Sequence, residues 1–208
     1  MLSAVRVLVT VNDAFGHVFP LVPTTLALAA AGHEVLLACP GTAANSVRLD
    51  GVLVREFHAD DIAAPDFPPT LDRHERFTFA VTKRWPTAAL RWTQSLLRDA
   101  RGWKPDLVIV EPVEHAGRVV AAALGIPWVE HGWGFTLPAD TNQRANEALV
   151  DLYTGAAATV QDPALRVDLG PASLHATDAP KVDRFRYVPW SPSAPSLPPP
   201  GPRPRILV

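Results

Sequence analysis

The chain has 208 residues, 48% of them hydrophobic, with 19 Lys and Arg against 21 Asp and Glu and a formal net charge of −2. That length and apolar content suffice for one large α/β domain with a short remainder. The balanced charge gives neither the basic footprint of a nucleic-acid binder nor a polybasic run for an anionic membrane, and the single cysteine, Cys39, leaves no intrachain disulfide and reads as a buried, inert thiol in a reducing cytoplasm.

The first strand is Arg6–Val11, almost uniformly apolar as a strand covered on both faces should be. The loop Asn12-Asp13-Ala14-Phe15-Gly16-His17 leads to Pro20, which suits a first helical turn, and a helix from there to Ala31 stopped by Gly32. Glu34–Ala38 is the second strand. Pro40-Gly41-Thr42 makes a turn, Ala43–Leu49 a short helix, and Val52–Phe57 a third strand. His58 to Thr70 has no usable period and reads as a loop, long enough to suggest a functional one. Leu71–Arg84 is either extended, with Phe77, Phe79 and Val81 on one face, or helical, with Phe77 and Val81 paired.

A helix from Pro86 to Arg101 carries Leu90, Trp92 and Leu97. The strand Asp106–Val110 ends on Glu111, a helix spans Glu114–Leu124, and the strand Trp128–Glu130 delivers His131-Gly132-Trp133-Gly134. Asn142–Leu152 reads as a helix and Arg184–Val188 as a last strand. From Pro189 to Pro204 prolines recur every second or third residue, giving a semi-rigid linker, and Arg205-Ile206-Leu207-Val208 reads as the opening of another strand. Alternating strands and helices predict a Rossmann-like parallel sheet with helices on both faces. Neither export nor a membrane helix is expected, since the start carries no charged leader and Leu21–Cys39 is interrupted by Gly32, His33 and Glu34.

Right-handed crossovers bring the carboxyl ends of parallel strands to one edge, where ligands of such sheets bind. His17, Glu111 and the 131–134 loop converge there. Histidine takes up a proton near neutral pH when an acidic group holds its other nitrogen, so His17 with Glu111 reads as a general-base pair. The plain structural alternative has His17 capping a helix and Glu111 finishing a strand. Asp13 is a rival base, or a turn former. Trp133 and Phe135, with Phe77, Phe79, Trp85 and Trp92, are pocket walls or core. No Gly-x-Gly-x-x-Gly turn, phosphate loop, paired cysteines or helical His-x-x-x-His occurs. His58 with Asp60 and Asp61 is a weak candidate for a divalent ion.

Gly16-His17-Val18-Phe19-Pro20-Leu21, running to Ala30-Ala31-Gly32-His33-Glu34-Val35, resembles the amino-terminal signature of two-domain family 1 glycosyltransferases, particularly bacterial natural-product enzymes. Pro105 to Pro112, Ala116-Gly117, Ala123 to Pro127, Arg186 to Pro189 and Pro204 to Val208 agree with that family in order and spacing. The resemblance implies the GT-B architecture, with residues 1–188 an acceptor-binding domain, 189–203 the interdomain linker and 204–208 the first strand of a C-terminal nucleotide-sugar domain. It implies metal-independent, inverting transfer from a TDP- or UDP-sugar to a hydroxyl of a hydrophobic aglycone, without a cofactor. His17 matches the base and Glu111 its supporting acid, where the family more often has aspartate. Asp13, Phe15, Phe77, Phe79, Trp85, His131 and Trp133 would shape the acceptor pocket. The donor domain is an expected partner and a homodimer is allowed. Two other readings are a non-catalytic subunit docking onto a separate donor-binding polypeptide, and a nucleotide-dependent enzyme of another doubly wound type.

Overall fold

The computed structural model describes residues 3–43, 46–57, 65–134, 137–138, 140–175 and 179–191. His58, Asp60, Asp61, Phe135, the linker past Ser191 and the segment 204–208 lie outside the described residues.

Among the described residues, seven strands form one parallel sheet in the order β3-β2-β1-β4-β5-β6-β7: β1 Arg6–Thr10, β2 Glu34–Cys39, β3 Val52–Glu56, β4 Leu107–Val110, β5 Trp128–His131, β6 Leu165–Asp168 and β7 Asp183–Arg184. Strand β1 is central, with Val9 opposite Leu37 of β2 on one side and Ile109 of β4 on the other. The chain winds outward from β1 to β3 and then crosses to the other half, so β1 and β4 are neighbours whose following segments leave in opposite directions. A crevice opens at such a switch point, at the carboxyl ends of the strands.

Period-two alternation splits the core between the two faces of the sheet. Val7, Val9 and Val11 pack with Val35, Leu37 and Ile109 beneath Val18, Leu21 and Val22. On the opposite face Leu8, Leu36, Val108 and Val110 meet Trp92, Leu96, Leu97, Val119 and Val120. Both faces are covered, which explains why β1, β2 and β4 read as nearly unbroken apolar runs. Among the described residues no helix is long and apolar enough to cross a membrane.

Several elements depart from expectation. Helix begins before Pro20, as a single turn α1 Phe15–Val18 that contains His17, then a 3-10 turn Phe19–Leu21 and α2 Val22–Ala30. No α-helix occurs among the described residues of 43–49, where Asp13 Oδ1 instead accepts from Ala43 N at 2.8 Å. Residues 71–84 are helical. Asp72 and Glu75 form a reciprocal capping box that starts α3 Arg73–Phe79, and a π-helical turn Ala80–Arg84 runs into α4 Trp85–Leu90. The helix expected over 86–101 breaks at Arg91 and Trp92, so α5 Thr93–Trp103 is separate. Helix α6 Ala116–Leu124 starts two residues later than expected, because the Glu114 carboxylate accepts from Ala116 N (2.6 Å) and Gly117 N (2.8 Å) and ends the preceding turn. The helix expected over 142–152 is two, α7 Asp140–Ala148 and α8 Val150–Gly155. Strand β6 was not expected from the sequence, and β7 ends at Arg184, so Tyr187 and Val188 stay exposed outside the ladder.

Candidate active site

Glu111 directly follows β4 and is 1% exposed. Both carboxylate oxygens are saturated with donors. Oε1 accepts from Asn12 Nδ2 (2.6 Å) and faces His17 Nδ1 (2.9 Å), while Oε2 accepts from Trp133 Nε1 and Val113 N, each at 3.0 Å. A group surrounded only by donors matches the acceptor-only inventory of an ionised carboxylate. It fixes the imidazole tautomer: His17 Nδ1 carries the proton and donates to Glu111, leaving Nε2 as the basic nitrogen.

The four donors come from three loops after parallel strands, those of β1, β4 and β5, meeting at the switch point. The His17 side chain is partly exposed, at 24%. Burial presses the imidazole pKa downward, but the hydrogen bond and charge of Glu111 more than offset it and the net displacement is upward. Trp133 meets the His17 ring edge-on, with centroids 5.1 Å apart at 70°.

The loop bearing Trp133 is itself held from below. Asp168, at the end of β6, accepts from Gly134 N (3.0 Å) and Leu169 N (2.7 Å) through Oδ1 and pairs with His175 Nε2 at 3.1 Å. A Cβ at position 132 would collide with the Asp168 carboxylate, so Gly132 allows the two loops to approach.

Next to Glu111 lies a second buried acid, Glu114, whose Oε2 accepts from Thr10 Oγ1 at 2.6 Å. Burial pushes its pKa up to about 7 despite three donors, with the neighbouring Glu111 charge adding to the rise. His115 lies buried beside Arg118, and burial followed by that positive charge holds its imidazole well below the ordinary value.

His17 opens onto a cleft of about 400 Å³, lined also by Asn12, Asp13, Ala14, Pro40, Arg84, Trp85, Ala88 and Arg91. That volume lies in the range of small-molecule sites. Of the residues singled out from sequence, Asp13, His17 and Trp85 meet at this cleft, and Trp133 adjoins it through the dyad. Asp13 points its carboxylate across Gly41 to the Ala43 N–H, holding the loops after β1 and β2 together. Phe77 stands behind Trp85, edge-on at 6.1 Å. Phe79 pairs with Phe67 at 5.6 Å and borders a separate groove with Leu71 and Thr82. Phe15 is 53% exposed and stacks on Phe19 at 5.4 Å.

His131 is buried at the end of β5. Its Nδ1 donates to Gly132 O (2.9 Å) and its Nε2 accepts from Thr24 Oγ1 (2.8 Å), so both ring nitrogens are occupied within the fold. Burial, the largest influence, lowers its pKa. Trp92 is core, packed against Phe57. Asn12, Arg84, Ala88 and Arg91 were not singled out from sequence. Among the described residues no group of three His, Cys, Asp or Glu side chains is placed to hold a metal ion.

Comparison with known proteins places the chain in a family. The model of the erythromycin biosynthesis protein CIII-like N-terminal domain matches residues 26–196. L-demethylnoviosyl transferase of Streptomyces niveus is 34% identical over 197 residues, covering 89% of this chain and 50% of that protein. Elloramycin glycosyltransferase ElmGT of Streptomyces olivaceus is 34% identical over 222 residues, covering 98% and 57%. The crystal structure of the Streptomyces sp. SF2575 glycosyltransferase SsfS6 complexed with thymidine diphosphate superposes with a TM-score of 0.76 at 29% identity, covering 94% of this chain and 56% of that one. The chain spans about half the length of the curated relatives it matches. By sequence and by its seven-stranded parallel sheet, this chain belongs to the erythromycin biosynthesis protein CIII-like N-terminal domain family, the first half of the GT-B fold of natural-product glycosyltransferases.

Proposed function

We propose that this chain supplies the acceptor site and the catalytic base for inverting transfer of a sugar from a TDP- or UDP-sugar to a hydroxyl of a hydrophobic natural-product aglycone. The observation that carries the reading is the His17 Nδ1 to Glu111 Oε1 contact of 2.9 Å, set at the switch point of the sheet and open to a ligand-sized cleft. An acceptor hydroxyl in the cleft donates its hydrogen to His17 Nε2. As its oxygen attacks the anomeric carbon from the face opposite the diphosphate, the proton passes to Nε2 and the bond from that carbon to the diphosphate oxygen breaks. The diphosphate leaves with the bonding electrons, the sugar inverts, and Glu111 stabilises the imidazolium that forms. This scheme calls on no metal ion. The SsfS6 complex with thymidine diphosphate supports a TDP-linked donor, and the half-length match to the relatives supports a second domain that binds it.

Replacing His17 by Ala in the full-length enzyme tests the base. Turnover with ordinary hydroxyl acceptors should fall by roughly 10² to 10⁴, the usual worth of a positioned general base. Undiminished turnover would remove His17 from the mechanism.

A further inference from the structure

The turn that carries His17 has little of its own to hold it. Helix α1 is four residues, Phe15–Val18, with Gly16 inside it and no side-chain cap at Ala14. So short a helix does not persist on its local hydrogen bonds, and its position is set by what its side chains touch. Val18 is fully buried and joins the core cluster of Val7, Val9 and Val11. His17 stands two residues from both Phe15 and Phe19, about 200° around a helix, so it faces the side opposite to theirs. On its own side His17 meets Glu111 at 2.9 Å and Trp133 edge-on, with centroids 5.1 Å apart. On the other side Phe15 stacks on Phe19 at 5.4 Å and 27°, and Phe19 meets the Trp190 ring edge-on at 5.3 Å and 64°. The turn is gripped between two tryptophans.

Trp190 reaches this place from far along the chain. Strand β7 ends at Arg184, residues 185–189 are exposed, and Trp190 is partly buried, packed on the same core cluster as Phe19 and Trp133. Edge-to-face aromatic pairs are worth more than their buried area alone, and an indole has only two side-chain torsions to fix. The contact therefore ties the segment that enters the proline-rich stretch to the turn that bears His17.

Resting on the base reading of His17, we infer that Trp190 is a positioning residue for the reaction: docked on Phe19, it fixes the Phe15–Val18 turn so that His17 Nδ1 stays on Glu111 and Nε2 stays turned to the cleft. The test takes Trp190→Ala and Trp190→Phe in the full-length enzyme. It measures kcat and KM with a phenol and with the matching thiophenol, and it follows the His17 imidazole by NMR titration of the histidine-labelled proteins, the resonance being the one absent from His17→Ala. Trp190→Ala should lower kcat with the phenol roughly threefold to tenfold, the worth of one aromatic pair, leave acceptor KM within about twofold, and cost less than about twofold with the thiophenol, which arrives ionised. Its His17 titration should move down from the raised native value, because a turn free to drift takes the imidazole away from the Glu111 carboxylate.

Trp190→Phe still offers a ring edge to Phe19 and should restore most of both. Phe19→Leu keeps an apolar side chain but removes the ring; it should reproduce the Trp190→Ala losses, and the double variant should lose no more than either single one, so the inference does not depend on one variant folding. An unmoved His17 titration in Trp190→Ala, equal losses with phenol and thiophenol, a loss carried by KM alone, or additive losses in the double variant would overturn the inference. Failure of the base reading is separable. His17→Ala would then keep its turnover with the phenol, whereas failure of the Trp190 inference leaves the His17→Ala loss intact.

Discussion

Replacement of Glu111 by Gln perturbs the centre of the site while preserving its shape. The carboxylate accepts from Asn12, Trp133 and the Val113 amide and holds His17 Nδ1. A carboxamide offers one oxygen, and its NH2 must face donors on the other side, so at least one buried donor loses its partner. Leaving such a group unsatisfied costs about 1–3 kcal/mol. For a chain of this size that corresponds to a fall in Tm of about 2–12 °C. Loss of the charge also removes the hydrogen bond to the imidazolium, worth about 1.5–3 kcal/mol when one partner is ionised, and turnover of the full-length enzyme should fall roughly 10- to 100-fold. The pH dependence gives a signature that simple misfolding cannot. In the native chain Glu111 more than offsets the downward pull of burial and the His17 pKa is raised. Without that charge the pKa falls, His17 loses its proton at lower pH, and the acidic limb of the kcat profile should move toward acid while the plateau drops. A slower variant whose acidic limb stays in place, or moves toward alkaline pH, would refute the coupling of Glu111 to the base.

Trp133→Phe keeps a ring beside His17 but deletes the donor to Glu111 Oε2; it should lower turnover about tenfold and stability by about 1.5–3 kcal/mol in urea titrations, leaving donor KM unchanged. Glu114, with a pKa pushed up from 4.5 to about 7, binds more proton folded than unfolded between those values, so its contribution to stability declines as pH rises through that window. Glu114→Gln cannot ionise, so the Tm gap between native and variant chains should narrow from pH 5 to pH 8, and a constant gap would show that Glu114 is already ionised at pH 5. In the core, Leu96→Ala should cost about 2–5 kcal/mol in chemical denaturation, because Leu96 is 1% exposed among Trp92, Val110 and Val120.

The centre of the sheet was legible because β1, β2 and β4 are covered on both faces and carry unbroken apolar runs between turn residues. The edge was not. Strand β6 is four residues, Leu165-Arg166-Val167-Asp168, in which polar side chains alternate with apolar ones over too short a span to stand out. Asp72 and Glu75 spell a capping box that starts α3, while the alternation of Phe77, Phe79 and Val81 also fits a strand. His17 and Glu111 could be paired from sequence since both follow strands at one sheet edge. Nothing local indicates that Trp133, 22 residues beyond Glu111, donates to it, or that His131 turns inward to Thr24 rather than to the cleft. Arg84, Ala88 and Arg91 were spaced for one helical face, but the π turn and the break at Trp92 displace the helix boundaries on which that spacing depends.

The decisive measurement compares acceptors that need a base with acceptors that do not. In the full-length enzyme, kcat of wild type and His17→Ala would be measured with a phenol and with the matching thiophenol, which is largely ionised at pH 8. If His17 Nε2 takes the acceptor proton, the variant loses roughly 10² to 10⁴ with the phenol and far less, about tenfold or under, with the thiophenol. Equal losses with both acceptors would mean that His17 serves binding or folding and that the proton leaves by another route.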